Sequence, residues 1–182
     1  MFISWLKSKL HKVDNNDEVA VARSIGVKVG KDCHINDNAR KVFSMEPYLV
    51  TLGNKVVIAP EVRFVCHDGG IAVLRGNEDF GNIDCFAPII VGDNVFIGIK
   101  SVILPGVKIG NNVVIGACSL VNKDVPDDTV VAGVPAKKIC DISQFKEKIK
   151  DSDKKFLVPT KGMSAEQKKE YLMNNFPYWF NK

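Results

Sequence analysis

From Val91 onward, apolar positions recur every six residues. The hexads read VGDNVF, IGIKSV, ILPGVK, IGNNVV, IGACSL and VNKDVP. Their first positions, Val91, Ile97, Ile103, Ile109, Ile115 and Val121, are all β-branched. The second is glycine in four of the six, and the fifth is small or branched throughout (Val95, Ser101, Val107, Val113, Ser119, Val125). A helix would space its apolar residues three and four apart, and an ordinary strand would alternate briefly and stop. A sustained period of six fits short strands joined by tight corners. The branched residue then points into a narrow interior, and the glycine permits the corner.

The pattern also occurs upstream in shifted phase: VGKDCH and INDNAR from Val29 and Ile35, then LGNKVV, IAPEVR and FVCHDG from Leu52, Ile58 and Phe64. CFAPII, from Cys85, is read as rejoining the later phase. Phase shifts mean insertions, one after Arg40 and a larger one between Asp68 and Cys85. The larger carries Gly69, Gly70, Gly76 and Gly81. It reads as an excursion from the coil, the kind of loop that carries function.

Outside the repeat, Phe2, Trp5, Leu6 and Leu10 fall at helical spacing and predict a cap on the open first coil. Ile142, Phe145 and Ile149 predict one C-terminal helix, and Ser164 through Gln167 a capping box opening a second. The aromatic run Phe176–Phe180 is expected to dock on its own coil or on another subunit. The expected domains are a helical cap over residues 1–24, an all-β solenoid over 25–139 with a loop at 69–84, and a helical extension over 140–182.

Composition narrows the function classes. Of the 182 residues, 46% are hydrophobic and 25% charged, ordinary for a globular domain. No apolar run approaches a membrane span, and Met1–Leu10 is too short and lysine-interrupted for a secretory signal. Cytoplasmic residence is the expectation. Membrane contact through the first helix is a lesser reading. Cys33, Cys66, Cys85, Cys118 and Cys140 form no C-x-x-C pair, so neither a disulfide framework nor a zinc knuckle is indicated. Residues 137–182 hold 11 lysines against 6 acids, whereas the whole chain is only +4. Those lysines alternate with acids and include no arginine, which suits a solvated helical face better than nucleic acid.

The hexads resemble the hexapeptide-repeat acyltransferase superfamily over Val29 to Ile139. The closing stretch VNKDVPDDTVVAGVPAKKI resembles that family's final coil and G-x-P-A-K exit. EPYLVTLGNKVVIAPEVRFVCHDGG (Glu46–Gly70) resembles a branch of sugar and antibiotic O-acetyltransferases, some acting on capsule and lipopolysaccharide sugars. The resemblance implies a left-handed parallel β-helix, a homotrimer with sites between subunits, acetyl-CoA as acyl donor, a saccharide or small-molecule acceptor and no metal.

Acyl transfer to a hydroxyl needs a base, oxyanion donors and a donor held in line. Histidine suits the base. His11 precedes the repeat and His34 sits at a hexad corner, whereas His67 stands where the coil gives way to the loop and matches the family's catalytic histidine. Phe64 is the inward residue of its hexad, so alternation turns Cys66 inward and His67 outward. That argues for direct transfer over an acyl-cysteine route. Glu46, about one coil back, and the adjacent Asp68 are the candidates for orienting His67. By resemblance, Asn36 meets the acceptor, and Arg75 in the loop is assigned to it too. The donor's arm is expected along Phe96, Gly98, Ile99, Gly116 and Ala117, with Gly98 or Ile99 as oxyanion donor. Phe96 stands where many relatives carry tryptophan. Lys123, Lys137 and Lys138 match basic positions that meet the donor's phosphates, each being equally a solvated surface lysine. Alternatives are N-acetylation of an amino sugar, an antibiotic acceptor, a three-histidine zinc hydratase of the γ carbonic anhydrase type, disfavoured because only two histidines lie in coils, and a non-catalytic trimeric scaffold.

Overall fold

In the computed structural model the described residues are 17–151 and 157–180. Residues 1–16 of the expected cap over 1–24, including the Phe2–Leu10 stretch and His11, therefore lie outside them. The chain divides into two compact units, Met1–Lys146 and Glu147–Lys182. The first is built from short parallel strands that visit three sheets in rotation.

One sheet contains β1 (Lys28–Val29), β3 (Val50–Leu52), β8 (Ile89–Val91) and β11 (Lys108–Ile109). A second contains β2 (His34–Ile35), β4 (Val57–Ile58), β9 (Val95–Ile97), β12 (Val113–Ile115) and β14 (Thr129–Ala132), and the antiparallel β15 (Lys137–Asp141) closes it. The third contains β5 (Arg63–Phe64), β10 (Val102–Ile103) and β13 (Leu120–Val121). Chain order steps from the first sheet to the second to the third and back, which is a three-sided β-helix. In the regular coils, strand partners lie 18 residues apart: Ile90 with Lys108, Val95 with Val113, Val102 with Leu120. Three hexads thus make one turn.

Departures from 18 measure the insertions. Lys28 pairs with Thr51 and His34 with Val57, 23 apart, so the first insertion adds 5 residues. Thr51 pairs with Ile90 and Arg63 with Val102, 39 apart, so the second adds 21. Two readings of the hexads need correction here. The hexad from Ile35 does not complete a coil, because Asn38 caps a short helix, α2 (Ala39–Val42), on the third side. Phe43 beyond it is fully buried and packs on Phe64, ring centroids 5.2 Å apart. Nor does Cys85 rejoin the coil: it is exposed, and the inward sequence resumes only at the buried Ile89. The helix α1 (Glu18–Ser24), capped by Asp17, precedes the first strand and buries Val21 and Ala22.

The core matches the hexad code. All six first positions and all six fifth positions from Val91 to Val125 are buried. The serines among them are satisfied internally: Ser101 and Ser119 hydroxyls both donate to Gly116 O, at 3.0 and 2.6 Å. One corner is a polar ladder. Main-chain N–H groups of Asn54, Asp93 and Asn111 donate to the side chains of Asp93, Asn111 and Asp127 in the next coil, at 2.7 to 2.8 Å. These bonds hold the Asp93 and Asp127 carboxyls below the usual carboxylate range. Asn94, Asn112 and Asp128 take left-handed backbone angles of 55 to 57° at the same corner, which short Asx side chains tolerate.

The helix α3 (Ile142–Asp151) begins in the first unit and ends in the second, which holds all of α4 (Ala165–Asn175). The capping box is present, with the Ser164 hydroxyl accepting from Gln167 N and the Gln167 side chain from Ser164 N. The aromatic terminus packs on itself: Phe176 stacks on Trp179 at 4.4 Å, and Tyr178 meets Trp179 edge-on.

Candidate active site

Both insertions converge on one histidine. His67 opens β6 (His67–Asp68), which leaves the coil and pairs antiparallel with β7 (Cys85–Phe86), so the 69–84 loop is a hairpin-like excursion closed at its base. The side chains alternate as expected: Phe64 and Cys66 are buried, and His67 is about one-third exposed. Glu46, at the end of the first insertion, is buried at 7% relative exposure and lies 2.8 Å from His67, Oε2 to Nδ1. A carboxylate acceptor there makes Nδ1 the donating nitrogen and leaves the Nε2 lone pair for chemistry.

Burial, with the nearby Glu46 charge, pushes the Cys66 thiol up to about 11. Inward-facing and held as the thiol, it is a core side chain with no access to a substrate.

The other candidates scatter. Asp68 lies on the opposite face of the ribbon from His67, and its carboxylate accepts from Gly70 N at 2.8 Å, capping the loop's first 3-10 turn. It therefore serves the loop and not the imidazole, contrary to its assignment as an orienting group. Arg75 pairs with Asp84 and ties the loop to itself. Asn36 is exposed after β2, its N–H spent on Ile58 O.

On the second sheet, Phe96 is exposed and lines a groove of about 270 Å³ with Val57, Val114, Asn112 and Ile142. Gly98 is different from expectation. It is buried, its N–H donates to Ile115 O at 2.8 Å, and a Cβ there would stand 2.6 Å from Ala117 N. That glycine exists to let coils stack, and its N–H is not available to an oxyanion. Gly116 is constrained likewise, by Ala132 Cβ at 2.8 Å. Ile99 and Ala117 are exposed at the corner, and Ile99 N–H has no acceptor among the described residues. Lys123 and Lys137 are exposed, whereas Lys138 is held by Asp141 at 2.6 Å. Among the described residues no group of three or more His, Cys, Asp or Glu could hold a metal ion, and no helix is long and apolar enough to cross a membrane.

Sequence reasoning missed Phe86. It is paired in register with His67 across the ribbon, and the two rings meet at 6.2 Å with an interplanar angle of 62°. The only signal was an aromatic residue at the point where the loop returns.

A hexad-built, three-sided β-helix with a histidine–carboxylate pair at the mouth of an inserted loop defines a class of transferase scaffold. The family model described as bacterial transferase hexapeptide (six repeats) matches residues 88–123. Protein CapG of Staphylococcus aureus is 47% identical over 176 residues, covering 97% of this chain and 95% of that one. The galactoside O-acetyltransferase of Escherichia coli K12 is 41% identical over 123 residues, covering 63% of this chain and 56% of its own. A solved maltose O-acetyltransferase from Clostridium difficile 630 superposes with a TM-score of 0.50 at 25% identity, covering 77% of this chain and 82% of that one. The chain belongs to the hexapeptide-repeat transferase family, and it is an enzyme of acyl transfer.

Proposed function

We propose that the protein is an acetyl-CoA-dependent O-acetyltransferase acting on a sugar hydroxyl in the synthesis of a capsule, O-antigen or similar surface polysaccharide. The observation that carries this is the His67–Glu46 pair at 2.8 Å, facing out of the coil where the 69–84 loop begins. Nε2 of His67 takes the proton from the acceptor hydroxyl as the oxygen attacks. Glu46 holds Nδ1–H, fixes the tautomer and stabilises the ring once it is charged. Acetyl-CoA supplies the activated acyl group as its thioester. The N–H of Ile99, an exposed corner residue, is the main-chain candidate for the oxyanion donor, Gly98 being spent. Phe96, Ala117, Lys123 and Lys137 are the exposed residues offered to the donor, and Lys138 reaches it only by leaving Asp141. Transfer is direct, with no covalent acyl-enzyme, because the only cysteine next to the base is buried. The sugar assignment draws on the galactoside and maltose O-acetyltransferases among the relatives. In this reading the coil is left-handed over residues 25–139 and three chains assemble with the sites between them.

The test is release of free CoA from acetyl-CoA across sugars, nucleotide sugars and antibiotics. Acceptor-dependent release is expected. His67→Ala should lower kcat by about 10²- to 10⁴-fold, and Glu46→Gln should lower it by a smaller factor with little change in acceptor KM. Acceptor-dependent turnover that survives His67→Ala would end the reading.

A further inference from the structure

Beside the base stands an aromatic ring that the chemistry above does not use. Phe86 is the residue directly opposite His67 in an antiparallel pair, so both side chains rise from the same face of the ribbon. Asp68 and Cys85, the other pair, rise from the opposite face. Main-chain bonding from Ala87 N to Cys66 O at 2.9 Å ties this short return strand to the coil's last inward residue. Phe86 is nevertheless 52% exposed, with its ring steeply inclined to the imidazole. Glu46 holds His67 from the buried interior, and the exposed Phe86 meets its ring in a tilted, edge-type contact.

We propose that Phe86 is the specificity-determining wall of the acceptor site, stacking on the apolar C–H face of a pyranose ring. This rests on the sugar O-acetyltransferase reading above. A pyranose carries its equatorial hydroxyls outward in the plane of the ring, while its ring C–H groups form an apolar face. An aromatic face buries that apolar surface, and a few convergent polar groups then fix orientation. A sugar laid against the phenyl points a rim hydroxyl sideways, and His67 stands at the flank of the phenyl. Position and recognition thus come from one side chain. An acyclic polyol offers the same hydroxyls and no such face, so Phe86 selects rings over chains.

The test uses the full chain as wild type, Phe86→Ala and Phe86→Trp, with a panel of methyl pyranosides and a hexitol. Initial rates of CoA release and ligand-detected saturation-transfer NMR are both read. In the wild type, saturation should concentrate on one face of the pyranoside. Phe86→Ala should lose that pattern and raise pyranoside KM about tenfold with kcat nearly unchanged, and Phe86→Trp should restore both. The hexitol should respond to neither substitution. Equal KM in wild type and Phe86→Ala, or a fall in kcat alone, would overturn the wall and leave Phe86 as a prop for the imidazole. Pyranosides that show the one-faced pattern without any CoA release would uphold the wall and sink the acetyl-transfer reading. No saturation of any pyranoside would sink the wall, and no CoA release with any acceptor besides would sink both.

Discussion

At the scale of single residues, strand alternation decides which groups can do chemistry. Cys66 and His67 are neighbours in sequence, yet one is core and the other faces solvent. The Cys66 thiol, pushed up to about 11, is more easily held protonated in the fold than in the unfolded chain. A raised pKa of this kind stabilises the fold fully below about pH 9, the ordinary thiol value here, and that contribution is lost as pH rises through about 11. Native protein treated with iodoacetamide at pH 8 should therefore be alkylated at the exposed Cys85 and Cys118 and spared at Cys66, with Cys66 reacting only in denaturant. Mass spectrometry of the peptides reads this directly. Rapid native alkylation of Cys66 would reopen an acyl-cysteine route.

At the scale of the coil element, the hexad glycine is a packing requirement. The neighbouring coil's backbone occupies the space where Gly98 would carry a Cβ, with Ala117 N at 2.6 Å and Ile115 O at 2.8 Å. Backbone cannot swing aside as a flexible side chain can, so Gly98→Ala should cost about 1–3 kcal/mol. Gly76, in the loop, meets nothing within 4 Å, and Gly76→Ala should be close to neutral. Thermal or denaturant unfolding of the two variants side by side checks the contrast. Equal stabilities would show that the coils can spread to admit the methyl group.

At the scale of the whole molecule, the solenoid unit leaves large apolar side chains in the open. Ile90, Phe96, Ile99, Val134 and Ile139 are all at least 40% exposed. Apolar exposure on this scale marks contact surfaces, and a trimer would cover part of it. Sedimentation equilibrium should return three times the chain mass across the micromolar range. A monomer at every concentration would refute the trimer and remove the proposed sites between subunits.

The corners that the hexad pattern assigned to its glycines are turned two residues later, at the left-handed Asn94, Lys100, Asn112 and Cys118. The sequence by itself determined the period, the inward residues and the orientation of His67. Each of these depends on alternation and six-residue spacing, which are local. It also placed Glu46 about one coil before His67, because a solenoid converts sequence separation into stacking. Tertiary structure decided what lies off the repeat. Whether Glu46 or Asp68 meets the imidazole depended on the path of the first insertion and on the ribbon that turns Asp68 away. Cys85 kept the hexad phase yet left the coil, because pairing with Asp68 outweighs a six-residue count. Gly98 looked free for a ligand in one dimension and is filled by the next coil in three. Phe86 reached His67 through a register that spans 19 residues, set by how the loop closes and carried by no periodicity in the chain.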